Sequence, residues 1–207
     1  MPDAAPPRPA VAAPLVVVLT GPSGVGKDAV VNRARDLGVP LERPATMTTR
    51  APRPGEIEGV HHLFVTREGF LHNVATGELL EHAEVYGNLY GVPRTSVRAA
   101  LATGNHVVIR VDVQGAESLH ELLPDALFVS LEPSSLDALR LHLEERGTES
   151  ASEVERRLAI AAAEIERART FCRPLVNVEG DLDATVAALV AMLEAEQARP
   201  DRTPLTV

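Results

Sequence analysis

The sequence has little cysteine and few aromatic side chains: its 207 residues include one cysteine, no tryptophan and only 3% aromatic residues. A single thiol, at Cys172, can form neither an internal disulfide nor a cysteine-ligated zinc site, so a reducing compartment is expected. No apolar run approaches about 18 residues, the length that a membrane-spanning helix requires. We therefore predict a chain that has no membrane partner, and we expect a cytoplasmic location.

Positive charge is also scarce. Lys and Arg number 20 against 29 Asp and Glu, which leaves a net charge of −9 at pH 7. The phosphates of DNA or RNA would be repelled, so no nucleic-acid partner is predicted. Any phosphate chemistry must therefore depend on a few placed groups. The apolar fraction of 45% is normal for a globular protein, and the length fits one domain.

The two ends of the chain differ in composition from its middle. Residues 1–13 contain four prolines, and this composition predicts a disordered tail. Residues 197–207 are expected to fray. A single domain is predicted over residues 14–196.

Within that domain, apolar runs alternate with helical patterns. Three runs rich in β-branched residues predict strands buried on both faces: Leu15–Thr20, Val107–Val113 and Ala126–Leu131. Helices are predicted at residues 28–37, 96–103, 116–123 and 135–145. Strands that alternate with helices predict an α/β fold with a parallel sheet and right-handed crossovers.

Two regions interrupt this alternation. Residues 45–94 are rich in glycine and proline, and Gly87-Asn88 could close a hairpin, so a small β-rich insertion is expected. Residues 146–168 carry apolar side chains at helical spacing, and Ser150 with Glu153 forms a capping-box pattern at the helix start. Arg156 and Arg157 lie off the apolar stripe of that helix and should face outward.

The motif with the clearest chemistry is G-x-x-x-x-G-K, placed directly after a predicted strand and directly before a predicted helix. Its glycines let main-chain N–H groups approach a phosphate chain, and the helix that follows adds the positive end of its dipole. The lysine places a charge on the outer phosphates. The predicted nucleotide-binding residues of this P-loop are Gly21, Pro22, Ser23, Gly24, Val25, Gly26 and Lys27.

The residue after the lysine departs from the usual motif. Ser or Thr normally stands there and binds Mg²⁺ through its hydroxyl, whereas this chain has Asp28. A carboxylate is a competent Mg²⁺ ligand and is favoured at a helix N-terminus. We therefore predict that Asp28 binds both the nucleotide and its Mg²⁺.

Further motifs make the sequence resemble the guanylate kinase family. They are the P-loop, T-T-R-A-P-R-P-G-E at 48–56, G-E-L-L-E at 77–81, Y-G at 90–91, D-V-Q-G at 112–115 and R-G-T-E at 146–149. The resemblance covers roughly residues 14–180 and implies transfer of a phosphoryl group from ATP to GMP, with Mg²⁺ as cofactor. GMP, possibly dGMP, would be the substrate, and the chain would be a monomer or homodimer.

The resemblance also implies a division of the chain. The P-loop NTPase core, with a parallel five-stranded sheet flanked by helices, would comprise residues 14–44, 95–139 and 168–196. A small mixed α/β insertion at 45–94 would bind GMP. A short helical lid at about 140–167 would close over the phosphates and exclude water.

Residue roles follow from the same resemblance. Lys27, Arg146 and Arg157 would stabilise charge on the transferred group. Asn177 would lie near the adenine. The residues expected to bind GMP are Thr46, Arg50, Arg53, His62, Glu81, Tyr90 and Asp112.

Several positions depart from the family pattern near the expected site. His62 replaces a phosphate-contacting Tyr, and Val92 replaces a hydroxyl that reads guanine. Arg110 stands at a usually acidic position near the metal, and His142 at a lid position often held by Arg. Two alternatives stay open: a kinase of the ribose 1,5-bisphosphate phosphokinase type, and a non-enzymatic guanylate kinase-like binding module.

Overall fold

The computed structural model describes residues 13–85, 87–145, 150–203, 205 and 207. The expected N-terminal tail therefore lies almost wholly outside the described residues. Among the described helices, none is both long and apolar enough to span a bilayer.

The secondary structure alternates as predicted, with more strands than the apolar runs indicated. In chain order the elements are β1 (Val16–Thr20), α1 (Lys27–Asp36), β2 (Leu41–Glu42), β3 (Thr46–Thr48), β4 (His62–Phe64), α2 (Arg67–Ala75), β5 (Leu79–Val85), β6 (Asn88–Pro93), α3 (Arg94–Leu101), β7 (His106–Arg110), α4 (Val113–Leu122), β8 (Leu127–Pro133), α5 (Leu136–Glu145), α6 (Ala151–Ala168), β9 (Arg173–Asn177) and α7 (Leu182–Gln197).

The main sheet has five parallel strands in the order β2-β7-β1-β8-β9, which confirms the predicted fold class. Its central strand β1 is buried along its whole length. Val17 and Leu19 pack in one cluster with helices α1 and α7, whereas Val16 and Val18 pack in a second cluster with α3 and α4. A strand covered on both faces needs apolar residues at every position, which explains the unbroken run.

The strand predicted at Val107–Val113 is shorter than expected. β7 ends at Arg110, Asp112 is the N-cap of α4, and Val113 is already helical. The Asp112 carboxylate accepts a hydrogen bond from the Gly115 N–H at 2.8 Å. This cap supplies a partner for an N–H that the helix leaves unpaired, so the chain turns before the apolar run is finished.

The insertion forms a second sheet, of order β4-β3-β6-β5, with its own small core. Strands β5 and β6 form the predicted hairpin, but Val85 pairs with Asn88, so Asn88 belongs to the strand rather than to the turn. Phe70 of α2 is fully buried beneath this sheet. The insertion therefore stands beside the main sheet on a separate hydrophobic cluster.

Helices α5 and α6 pack against each other around a cluster that includes Leu143 and Leu158. Ser150 caps α6 as predicted, since its hydroxyl accepts from the Glu153 N–H at 3.4 Å. The Glu153 carboxylate in turn accepts from Arg156 at 2.9 Å.

The C-terminal segment, predicted to fray, instead contacts the body of the domain. Arg202 donates to the Pro14 carbonyl at 2.7 Å, and Arg98 of α3 donates to the main-chain oxygen of Val207. Val207 is only 9% exposed and packs in the second core cluster. Cys172 lies in the same cluster, buried, and that burial raises the pKa of its thiol to about 12.

Candidate active site

The loop between β1 and α1 is shaped by three glycines. Gly21, Gly24 and Gly26 have φ angles of 138°, 90° and 97°, which residues with side chains rarely adopt. A Cβ at position 21 would lie 2.2 Å from the carbonyl oxygen of Leu131 in β8. The loop therefore runs close against the sheet. Its main chain continues directly into the N-terminus of α1, where N–H groups favour an anion.

The side chain of Asn177 fastens this loop to the edge of the sheet. Its amide donates to the Val25 carbonyl at 2.9 Å, and its oxygen accepts from the Thr185 hydroxyl at 3.1 Å. Thr185, fully buried in α7, also accepts from the Val178 N–H at 2.8 Å. The sequence predicts Asn177 near the adenine; the structure places its amide against the P-loop.

Lys27, the first residue of α1, turns back over the loop. Its Nζ donates to the carbonyl oxygens of Gly21 at 2.5 Å and Pro22 at 3.1 Å. Burial, opposed by the nearby Glu164 carboxylate, lowers the pKa of Lys27 to about 8. The ammonium group is thus held, partly desolvated, where the loop would receive a phosphate.

A cleft of about 420 Å³ opens between the loop, the four-stranded sheet and α6. It brings together predicted residues from both halves of the expected site. Those that line it are Gly21, Ser23, Lys27, Thr46, His62, Glu81, Tyr90 and Asp112. Its remaining lining consists of Ala83, Val85, Gly91, Val92, Arg110, Val111 and Glu164.

Carboxylates cluster on one side of the cleft. Burial, reinforced by the negative charge of Asp112, raises the pKa of Glu81 to about 7. Burial also raises the pKa of Glu164, while the charge of Lys27 opposes that shift. A Cβ at Gly115 would lie 3.1 Å from Glu81 Oε1. The glycine therefore makes room for the Glu81 carboxylate beside the N-terminus of α4.

Arg50 is fixed by a bidentate ion pair with Glu56. Its two terminal nitrogens donate to the carboxylate at 3.0 and 2.7 Å, and the Arg53 N–H donates to the same carboxylate at 2.6 Å. The hydrogen bonds from Arg50 are the main reason why the pKa of Glu56 falls to about 2. The buried Arg50 Nε has no hydrogen-bond acceptor among the described residues.

Thr46 and His62 are paired in register on β3 and β4, and Thr46 Oγ1 lies 2.8 Å from His62 Nδ1. The His62 ring meets the Tyr90 ring edge-on, with centroids 6.3 Å apart. Burial lowers the pKa of His62, opposed by Glu56, whose carboxylate lies 3.9 Å from His62 Nε2. An imidazole hydrogen-bonded to the Thr46 hydroxyl thus occupies the position predicted to contact phosphate.

Asp28 is engaged by two arginines. Its Oδ1 forms an ion pair with Arg110 and lies 3.9 Å from a terminal nitrogen of Arg43. A dication on the same oxygen would face both guanidinium groups at close range and would be repelled. The arrangement therefore does not fit Asp28 as a ligand of Mg²⁺, and we assign no step to a metal bound there.

The other predicted residues that the structure describes do not line the cleft: Pro22, Gly24, Val25, Gly26, Asp28, Arg50, Arg53, Asn177 and Arg157. Arg53 has an exposed side chain, and Arg157 lies half-buried on α6. Arg146 lies outside the described residues.

Glu164 is the charged cleft residue that sequence reasoning missed. It lies seven residues after Arg157, which places the two on the same side of α6. That spacing was the available signal, but a lone Glu on an amphipathic helix is usually solvated, so the pattern did not single it out. Val92, expected near the guanine, does line the cleft, and it is also buried in the core.

Comparison with known proteins gives one consistent result. A family model described as guanylate kinase matches residues 14–196. A guanylate kinase from Symbiobacterium thermophilum is 42% identical over 188 residues, covering 91% of this chain and 88% of that protein. One from Streptomyces coelicolor is 46% identical over 171 residues, covering 83% and 87%.

Solved structures agree with the sequence matches. The crystal structure of guanylate kinase from Anaplasma phagocytophilum resembles this fold with a TM-score of 0.69 and 31% identity, covering 92% of this chain and 90% of that chain. The P-loop, the second sheet and the cleft between them are thus accompanied by similarity along nearly the whole domain, and the chain belongs to the guanylate kinase family.

Proposed function

We propose that this protein transfers the γ-phosphoryl group of ATP to GMP and releases ADP and GDP, with ATP and Mg²⁺ as cofactors. The observation that carries the proposal is a cleft lined on one side by the P-loop and on the other by residues of the four-stranded sheet. A donor phosphate chain and an acceptor nucleotide would meet within it.

On the donor side, the loop N–H groups and Lys27 would bind the phosphates of ATP. With a pKa of about 8, Lys27 is still about nine-tenths protonated at pH 7, so it retains its charge. When ATP binds, Lys27 Nζ would give up its hydrogen bonds to the Gly21 and Pro22 carbonyls and donate to phosphate oxygens instead. Arg146 and Arg157 would belong to the lid and would stabilise the charge of the phosphoryl group during its transfer.

On the acceptor side, Glu81 and Asp112 would accept hydrogen bonds from the N–H edge of guanine, an edge that adenine lacks. To accept these hydrogen bonds, Glu81 must be ionised, or its proton must lie away from the guanine edge. Arg50, Arg53, Tyr90 and His62 would hold the GMP phosphate, with Arg50 held in position by Glu56.

No general base is required by this reaction, because the acceptor is already a phosphate oxygen. Positioning of the two nucleotides and electrostatic stabilisation should supply most of the rate. Closure of α5 and α6 over the cleft would exclude water, which otherwise competes as acceptor. A monomer or homodimer acting in the cytoplasm is part of the proposal and rests on the sequence alone.

The proposal is tested by measuring ADP production from ATP and Mg²⁺ with GMP, AMP or ribose 1,5-bisphosphate offered separately. Turnover with GMP alone is expected. A Lys27→Met protein, which keeps the fold but lacks the phosphate-binding charge, serves as the matched control and should be inactive. Turnover with the sugar bisphosphate alone would favour the alternative kinase, and ATP binding without any turnover would favour a binding module.

A further inference from the structure

Two positions that break the usual pattern contact each other in this structure. Asp28 follows the P-loop lysine, where a hydroxyl is usual, and Arg110 is the last residue of β7. Arg110 forms an ion pair with Asp28 Oδ1, and Arg43 approaches the same oxygen at 3.9 Å. The carboxylate therefore already has cationic neighbours supplied by the chain.

The sheet register places Arg110 at the mouth of the P-loop. Arg110 pairs with Leu19 of β1, one residue before that strand ends and two before the loop begins. Arg110 lines the same cleft as Gly21, Ser23 and Lys27. A cation at this point faces the space that the loop leaves for a phosphate chain.

The charge balance at this end of the cleft is unusual for a site expected to depend on a divalent ion. Lys27 faces the carboxylates of Glu164 and Asp112, which act on its charge. Arg43 and Arg110 share the single carboxylate of Asp28, so this group of three keeps one net positive charge before any metal binds. Mg²⁺ usually brings the positive charge that the β- and γ-phosphates of a nucleotide need.

We propose that Arg110 is a phosphate-binding residue which Asp28 holds in position, and that its charge replaces much of what Mg²⁺ contributes to nucleotide binding. This inference rests on the proposed function, because it concerns the ATP side of the same cleft. It predicts that a nucleoside diphosphate binds this protein almost as well without Mg²⁺ as with it.

The geometry of the guanidinium group permits both contacts. Arginine has five N–H donors in a planar fork, so it can donate to a carboxylate along one edge and to phosphate oxygens along the other. The Arg110 side chain is 25% exposed and that of Asp28 is 69% exposed, so the carboxylate lies on the solvent side of the pair, while Arg110 lines the cleft. Asp28 therefore acts as a positioning residue for Arg110.

The test measures the dissociation constant of ADP by titration calorimetry, once in excess Mg²⁺ and once in EDTA. For the unaltered protein, the two constants are expected to differ by less than about threefold. Arg110→Gln should weaken binding in EDTA by about ten- to a hundredfold, which is the effect of losing a charge-assisted hydrogen bond. Asp28→Ala should leave the small effect of Mg²⁺ unchanged.

Arg33→Gln is the matched control. Arg33 also lies on α1 and forms an exposed ion pair, with Asp183 of α7, but does not line the cleft. Its loss removes one positive charge and should change ADP affinity by less than about twofold. Should Arg110→Gln fail to fold, Arg110→Lys replaces it: loss of the fork is expected to weaken binding in EDTA by about threefold or more.

Specific results would overturn the proposal. One is strict dependence of ADP binding on Mg²⁺ that Asp28→Ala removes, because Asp28 would then be the metal ligand. Another is an Arg110→Gln protein that behaves like Arg33→Gln, or an Arg110→Lys protein with unchanged affinity in EDTA. Absence of ADP binding in both buffers would overturn the nucleotide site itself, and with it the proposed function.

Discussion

Glycine at position 21 is required by two independent features of the backbone. Its φ of 138° is strained for any other residue, and a Cβ would lie 2.2 Å from a main-chain oxygen of β8. Because that oxygen belongs to a central strand of the sheet, it has no room to move. We expect Gly21→Ala to lower the free energy of unfolding by about 3 kcal/mol or more, measured by urea denaturation.

Gly38→Ala separates the two causes. Gly38 follows α1 with a φ of 81°, and a Cβ there would meet nothing within 4 Å. In that variant the free energy of unfolding should fall only by the conformational cost of a positive φ, about 1 kcal/mol. Equal losses in the two variants would contradict the role of the close approach.

The ionisation of Glu81 should control GMP binding. With a pKa of about 7, caused first by burial and then by Asp112, Glu81 is about one-tenth ionised at pH 6 and nine-tenths at pH 8. Only the ionised form accepts hydrogen bonds at both oxygens. GMP affinity in calorimetric titrations is therefore expected to rise about tenfold between these pH values.

The GMP phosphate also titrates near pH 6, so variants are needed to isolate the carboxylate. Glu81→Gln should bind GMP weakly. Its GMP affinity should vary with pH only as far as the titration of the GMP phosphate requires. Glu84→Gln, an exposed change on the same strand, should keep the full profile. A normal profile in Glu81→Gln would assign the dependence to another group.

At the scale of elements, Asp112 has two separable effects besides its proposed contact with guanine. Its carboxylate caps α4, and its charge raises the pKa of Glu81. Asp112→Asn keeps an oxygen for the cap but removes the charge, so stability should hold while the GMP-binding profile moves to lower pH. Asp112→Ala loses both and should also cost about 1 kcal/mol of unfolding free energy.

A shift of the pH profile with Asp112→Ala but none with Asp112→Asn would show that helix geometry, rather than charge, acts on Glu81. Thermal unfolding and GMP titration of the two proteins, measured side by side, make this distinction. The two variants thus separate the contribution of Asp112 to the stability of α4 from the effect of its charge on the pKa of Glu81.

The same elements show how far the sequence could be interpreted. β1 and β8 were predictable because burial on both faces requires continuous apolar runs. The end of β7 was not, since the run through Val113 continues into a helix once Asp112 provides a cap. The two-residue strand β2, Leu41–Glu42, carries too little pattern to be recognised.

Prediction of the site had a similar limit. Gly21, Lys27, Glu81 and Asp112 were found because they occur in local motifs, and the fold brings them to one cleft. The pair between Asp28 and Arg110 was not predictable, although each residue departs from the usual pattern at its own position. Which residues pair depends on strand register across the sheet, and neither segment encodes that register alone.

At the scale of the whole molecule, the cleft lowers stability because it holds charges away from water. Lys27 is the only lysine in the chain, and its pKa in the folded protein lies near 8 rather than 10.5. The folded state thus binds fewer protons at this site than the unfolded state between about pH 8 and 10.5. The charged Lys27 therefore lowers the free energy of unfolding by its full amount below pH 8, and this loss decreases as the pH rises to 10.5.

We therefore expect Lys27→Met to raise the free energy of unfolding at pH 7 by about 1–2 kcal/mol while abolishing activity. Urea denaturation of both proteins at pH 7 and pH 9.5 checks this, and the difference should shrink at the higher pH. Isotope-labelled lysine gives one side-chain NMR signal, whose midpoint near 8 checks the pKa separately. A variant that is less stable than the parent at pH 7 would contradict the expectation.

The hydrogen bond from Asn177 to Val25 joins residues that are 152 positions apart. As a ribosome releases the chain from its N-terminus, the complete G-x-x-x-x-G-K sequence emerges long before the last strand of the sheet. Contacts of such separation form late, because a long segment must first be ordered. We therefore expect the Val25 carbonyl to gain its partner only when β9 docks, so that tight binding of nucleotide by the nascent chain would signal that synthesis of this domain is nearly finished.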